Sequence, residues 1–166
     1  MKKIFILLFL GAGASVAAQT PFADCFFDKT MRFDYYHAGD SRSEEYFFDA
    51  LKEEPYWAGS KVSLVDTTGY GNQFFRIVDR VSGREIYSRG FCTLFNEWQS
   101  TPEADSVRRS YPESVVFPYP KRPCRIEIFT RNGKGRFEKR FSQNIDPDSY
   151  FIERFTPRCE TFEVMY

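Results

Sequence analysis

The groups with the most chemical potential in this 166-residue sequence are one imidazole, four thiols and several pairs of close carboxylates. His37 is the sole histidine, so a hydrolytic triad would have to be built around it. No G-x-S-x-G surrounds any serine, and Phe91-Cys92-Thr93 lacks the local signatures of a cysteine protease. His37 is therefore read as a polar residue at a strand end rather than a general base. Cys25, Cys92, Cys124 and Cys159 have no C-x-x-C spacing, which with one imidazole argues against a zinc site.

Glu44-Glu45 and Glu53-Glu54 read as solvated surface, and Asp146-Pro147-Asp148 as a turn. Asn144, Asp146 and Asp148 alternate as Ca²⁺ ligands would, but without the glycine and distal glutamate of an EF-hand loop. Gly69-Tyr70-Gly71 has no following Lys-Ser/Thr and is a turn rather than a phosphate loop. The basic residues Lys121, Arg122, Arg125, Arg131, Lys134, Arg136, Lys139 and Arg140 are interleaved with Glu127 and Glu138, the pattern of outward-facing strand positions.

The elements that position these groups follow from periodicity. Met31, Phe33, Tyr35 and His37 alternate with Arg32, Asp34 and Tyr36, which predicts a strand. Glu44–Lys52 is ambiguous between helix and strand and is read as a strand. A short strand is expected at Lys61–Val65, and a hairpin from Phe74–Asp79 and Glu85–Ser88 around Val81-Ser82-Gly83-Arg84. Phe91, Leu94, Phe95 and Trp98 share one face of a short helix. Thr101-Pro102-Glu103 opens a second helix or turn running to Arg108, with Thr101 as its cap. Ser114–Phe117 reads as a strand that Pro118, Pro120 and Pro123 interrupt before Arg125–Thr130 resumes pairing. Asn132–Gly135 turns into a strand at Arg136–Gln143, and Tyr150–Phe155 is the last expected strand.

Nineteen Phe and ten Tyr favour pleated, aromatic-rich sheets. Short strands without repeating helices predict an all-β domain, an antiparallel β-sandwich of jelly-roll-like form with one or two short helices.

The chain opens with Lys2-Lys3, an apolar run from Ile4 to Leu10 and small residues before Gln19, the pattern of an export signal cut after Ala18. The expected organisation is a signal peptide at 1–18, a sandwich at 19–155 and a tail at 156–166. The mature product should lie in the periplasm, on the cell surface or in the medium. Removing 18 of the 166 residues leaves 148, with 21 basic and 23 acidic residues. That balance points to neither nucleic acid nor an anionic membrane, and no later apolar stretch reaches the ~20 residues of a membrane span. In an oxidising compartment the four cysteines are disulfide candidates, and all three pairings stay open.

Several segments together resemble a known family. These are Phe27–Tyr35, Trp57-Ala58-Gly59-Ser60, the string Gly90-Phe91-Cys92-Thr93-Leu94-Phe95-Asn96-Glu97-Trp98 continuing to Thr101-Pro102-Glu103-Ala104, Pro112–Lys121 and Ile145–Asp148. They resemble, in order, the N-terminal domain of secreted bacterial IgA-type zinc metallopeptidases, metallopeptidase family sixty-four. The resemblance implies an accessory β-sandwich placed before a catalytic domain that carries H-E-x-x-H. The present sequence has no H-E-x-x-H, so zinc, general base and peptidase activity carry over to no position, and neither cofactor nor metal is expected.

What the resemblance implies is a non-catalytic domain that packs on a peptidase domain or positions a protein substrate such as immunoglobulin. It would be either a free-standing copy or the remnant of a longer gene. The candidate contact residues are Trp57, Tyr70, Phe91, Phe95 and Trp98. The alternative is a free-standing exported glycan- or protein-binding module, which Trp57 and Tyr70 exposed side by side would favour.

Overall fold

The computed structural model describes residues 21–156. The expected signal peptide, Cys159 and the tail from 157 onward lie outside the described residues. Seven strands fold as β1 (Phe26–Gly39), β2 (Glu44–Glu54), β3 (Gln73–Asp79), β4 (Glu85–Phe91), β5 (Arg109–Pro120), β6 (Cys124–Arg131) and β7 (Phe137–Ile145). Two short helices, α1 (Phe22–Cys25) and α2 (Leu94–Gln99), and a 3₁₀ turn at Pro102–Asp105 complete the described chain. The strands form two antiparallel sheets, β2-β1-β5 and β4-β3-β6-β7. This is the expected all-β sandwich.

The period-two alternation decides which side chains meet between the sheets. β1 turns Met31, Phe33, Tyr35 and His37 inward, and Phe33 sits in register with Leu51 of β2 and Val115 of β5. β3 and β6 answer with Phe75 opposite Ile128 and Ile77 opposite Ile126, all buried. The outer faces carry the charges. Glu127 is covered by Arg76, Arg125 and Lys139 at 2.7, 3.0 and 3.4 Å, and Asp34 by Arg32, Lys52 and the Ser114 hydroxyl. Arg131 lies over the Phe137 ring. The basic residues of β6 and β7 are thus interleaved with acidic ones on the strands, while Lys121, Arg122, Lys134 and Arg136 lie in the flanking turns.

Several local expectations are corrected. β5 runs unbroken through Pro118 to Pro120, with Pro118 in register with Thr30. It is an edge strand, and Pro112, Pro118 and Pro120 share one parity, so the N–H each lacks would face away from β1. Lys61–Val65 is not a strand. Its carbonyls are consumed by Arg89, which donates to Ser63 O, and by the Ser88 N–H, which donates to Leu64 O. Phe91 belongs to β4, paired with Gln73, so α2 starts three residues later with Thr93 as its cap, accepting from Asn96 N at 3.2 Å. Thr101 occupies the expected N-cap position with Pro102 after it, but makes no side-chain capping bond and donates its hydroxyl to Trp98 O instead. Tyr150–Phe155 is a turn with one parallel bridge, Lys52 to Glu153, rather than a strand.

Candidate functional site

His37 is wholly buried where β1, β2, β5 and α2 converge. Its Nδ1 lies 3.2 Å from Glu113 Oε2 and its Nε2 3.1 Å from Glu44 Oε2. A neutral imidazole donates from one nitrogen only, so two carboxylate partners select the imidazolium. Burial works against that charge, but the hydrogen bonds and charges of Glu113 and Glu44 outweigh it and raise the His37 pKa above its ordinary value. Burial likewise opposes ionisation of Glu44, yet His37, Thr130 and Arg140 hold its carboxyl below the usual range. Arg140 Nε reaches Glu44 Oε1 at 3.0 Å, so two cations balance two anions.

The network reaches both sheets and α2. The Tyr35 hydroxyl donates to Glu113 Oε2 at 2.9 Å, and the Phe95 N–H of α2 donates to Glu113 Oε1 at 3.2 Å. The Tyr46 hydroxyl lies 2.9 Å from Gln73 Oε1, whose amide donates to Asn96 Oδ1 at 3.0 Å. Tyr46 and Phe95 stack on opposite sides of the imidazole, with ring centroids 4.2 and 3.9 Å away, which favours a cation between them. With both nitrogens engaged and both faces covered, His37 has no route to a substrate. It is a structural joint on β1, two residues before the strand ends.

The sequence-derived contact residues separate. Phe95 and Trp98 pack together with Ala104 and Tyr111 in a small second core. Trp57 is buried, its ring edge-on to Tyr87 and its Nε1 donating to Ser60 O at 3.1 Å. Phe91 is half-buried against Phe75. Only Tyr70 stands out, 78% exposed, so the pair Trp57 and Tyr70 makes no shared platform.

Tyr70 rides on a loop fixed by Asp66, whose carboxylate accepts from Thr68 N and Oγ1 and from Gly69 N and Gly90 N. Gly71 adopts a left-handed φ of 93°, and a Cβ there would lie 2.4 Å from Phe91 O. Burial opposes charge on Asp66, but these donors prevail and hold its pKa at about 2. Its folded pKa is depressed, so the stabilisation it gives is present above its ordinary value of 3.8 and fades as pH falls through about 2. Asp66→Ala is expected to cost ~1–3 kcal/mol in neutral buffer, with the difference from wild type shrinking in strong acid. Chemical denaturation at the two pH values measures it.

Cys25, Cys92 and Cys124 are free thiols. Burial pushes Cys124 up to about 12 and also raises Cys25, whereas Cys92 is exposed. A maleimide should label Cys92 on the native protein and reach Cys25 and Cys124 only after unfolding. Peptide mass mapping before and after denaturant reads this directly, and fast native labelling of Cys124 would contradict the packing.

The surface that sequence reasoning missed is the turn at 146–152. Tyr150 and Phe151 are 85% and 82% exposed, with ring centroids 4.4 Å apart. The turn beneath them is firmly held. Tyr119 Oη and Arg154 Nη2 donate to Pro147 O at 2.7 and 2.9 Å, and Asp146 Oδ1 accepts from Asp148 N. Ile152 is buried, and Glu153 exchanges backbone hydrogen bonds with Leu51 and Glu53 of β2. Two adjacent aromatics after Asp-Pro-Asp-Ser were the available signal. Phe48 on β2 and Phe151 line one groove with Gln143, Asn144 and Ile152.

Among the described residues no group of three or more His, Cys, Asp or Glu is placed to hold a metal ion, and no helix is long and apolar enough to cross a membrane. Comparison with curated proteins gives no match. The family model for the peptidase M64 N-terminus matches residues 21–142, from the start of the described chain into β7. On that match, which spans both sheets, the His37 joint and α2, the chain belongs to the peptidase M64 N-terminus family.

Proposed function

We propose that the chain is the non-catalytic accessory sandwich of an IgA-type zinc metallopeptidase system, exported from the cell, and that it docks a peptidase domain or a protein substrate such as immunoglobulin. The family match over residues 21–142 carries this reading. The locked imidazole supports it, because the chain's single histidine is spent on tying β2 and β5 to β1. The docking surface is the anchored turn bearing Tyr150 and Phe151. Exposed aromatic rings on a rigid backbone give a partner large contact area at little cost in ordering.

The first test is capture. Purified chain serves as bait for the extracellular and envelope fractions of its host, with immunoglobulin and mixed glycans offered alongside. Retention of a family sixty-four catalytic domain or of immunoglobulin is the expected result. Retention of glycans alone would replace this reading with that of a glycan-binding module.

A further inference from the structure

We infer that the groove between β2 and β7 receives a lysine or arginine side chain of a bound protein chain. The inference rests on the reading of the domain as a protein-docking module and names the chemistry of what it docks. The groove has a volume of about 440 Å³. Its lining includes the aromatic Phe48 and Phe151, the aliphatic Leu51 and Ile152 and the acidic Asp49 and Asp146. Gln143 and Asn144 of β7 also line it. None of the lining residues is a cation.

Among the described residues, Arg154 and Lys52 are held by partners of their own. Arg154 is bound to Pro147 O, Ser149 O and the Tyr119 hydroxyl. Lys52 is paired with Asp34 and Glu153. The groove is therefore electrostatically one-sided. An acidic ligand would meet two carboxylates, and a purely apolar one would desolvate them without replacement. A long basic side chain meets both demands. Its methylene stem lies along the aromatic and aliphatic walls, and its charged head reaches the carboxylates over the ring faces. Asp146 can serve although Oδ1 already accepts from Asp148 N, because a carboxylate has several acceptor sites.

The test is a nuclear magnetic resonance titration of the purified chain with acetyl-arginine amide, its neutral citrulline counterpart and acetyl-glutamate amide. The arginine compound is expected to shift the side-chain amide signals of Gln143 and Asn144 and the backbone signal of Phe151. Citrulline and glutamate compounds should leave them in place. Asp49→Asn with Asp146→Asn should weaken the arginine response at least tenfold while the far-ultraviolet spectrum is unchanged, since asparagine keeps the oxygen that Asp148 N needs. Equal shifts from citrulline, or none from arginine, would overturn the proposal. If a peptidase domain or immunoglobulin is captured and arginine moves nothing, the groove proposal fails alone. If arginine binds and no protein is captured, the docking reading fails instead.

Discussion

Glu113→Ala is expected to destabilise the fold by ~3–5 kcal/mol, the range found when one partner of a buried ion pair is removed. For a domain with ~5–15 kcal/mol of total stability that is a large fraction. Three donors lose their acceptor at once: the His37 ring nitrogen, the Tyr35 hydroxyl and the Phe95 N–H. Since Glu113 lies on β5 and its partners on β1 and α2, the loss frees the helix as well as the imidazole. Urea titration measures it, and a loss below ~1 kcal/mol would show that the joint contributes little.

The same joint sets a pH dependence. His37 has a folded pKa raised above 6.5, so its contribution is complete below 6.5 and is lost as pH rises through the folded value. Glu44 has a folded pKa lowered from 4.5, so its contribution is present above 4.5 and is lost as pH falls through the folded value. Stability from the pair should therefore be greatest between the two ordinary values and decline on the alkaline side. Glu113→Ala should flatten that alkaline decline.

Phe95→Ala should cost a comparable ~3–5 kcal/mol, the usual penalty for truncating a fully buried phenylalanine. The ring touches three neighbours, stacking on His37 at 3.9 Å and meeting Trp98 at 5.6 Å and Tyr111 at 6.3 Å. Truncation opens the second core and uncovers one face of a buried cation. The thermal midpoint should fall by many degrees, whereas Tyr70→Ala on the exposed loop should leave it within the small range of surface substitutions. A Phe95→Ala protein of undiminished stability would return Phe95 to the role of a contact residue.

Much of the fold was legible because it is written locally. The alternation of Met31, Phe33, Tyr35 and His37 marks β1, and Gly83 and Asn132–Gly135 mark two hairpins that the structure contains. Misreadings arose where tertiary context competes with local pattern. Phe91 fits a helical face, but its backbone is taken by Gln73. Pro118 and Pro120 look like breakers, but an open edge tolerates them. Tyr150–Phe155 has the aromatics of a strand, but the turns closed by Ser149 N on Asp146 O and by Ile152 N on Ser149 O coil the chain, and only Glu153 reaches the β2 edge.

The sites were less legible. His37 could be read only as polar, because Glu113, the partner that defines it, is 76 residues away. Trp57 and Tyr70 look alike in sequence, and only the packing against Tyr87 separates the buried ring from the exposed one.

The central claim, that this domain serves a peptidase through the turn at Tyr150 and Phe151, is tested most directly by calorimetric titration of the purified chain with a separately produced family sixty-four catalytic domain. The account predicts saturable binding that Tyr150→Ala with Phe151→Ala weakens at least tenfold without lowering the thermal midpoint, because both rings are exposed. Binding unchanged by the double substitution, or no binding by the wild-type chain, would contradict it.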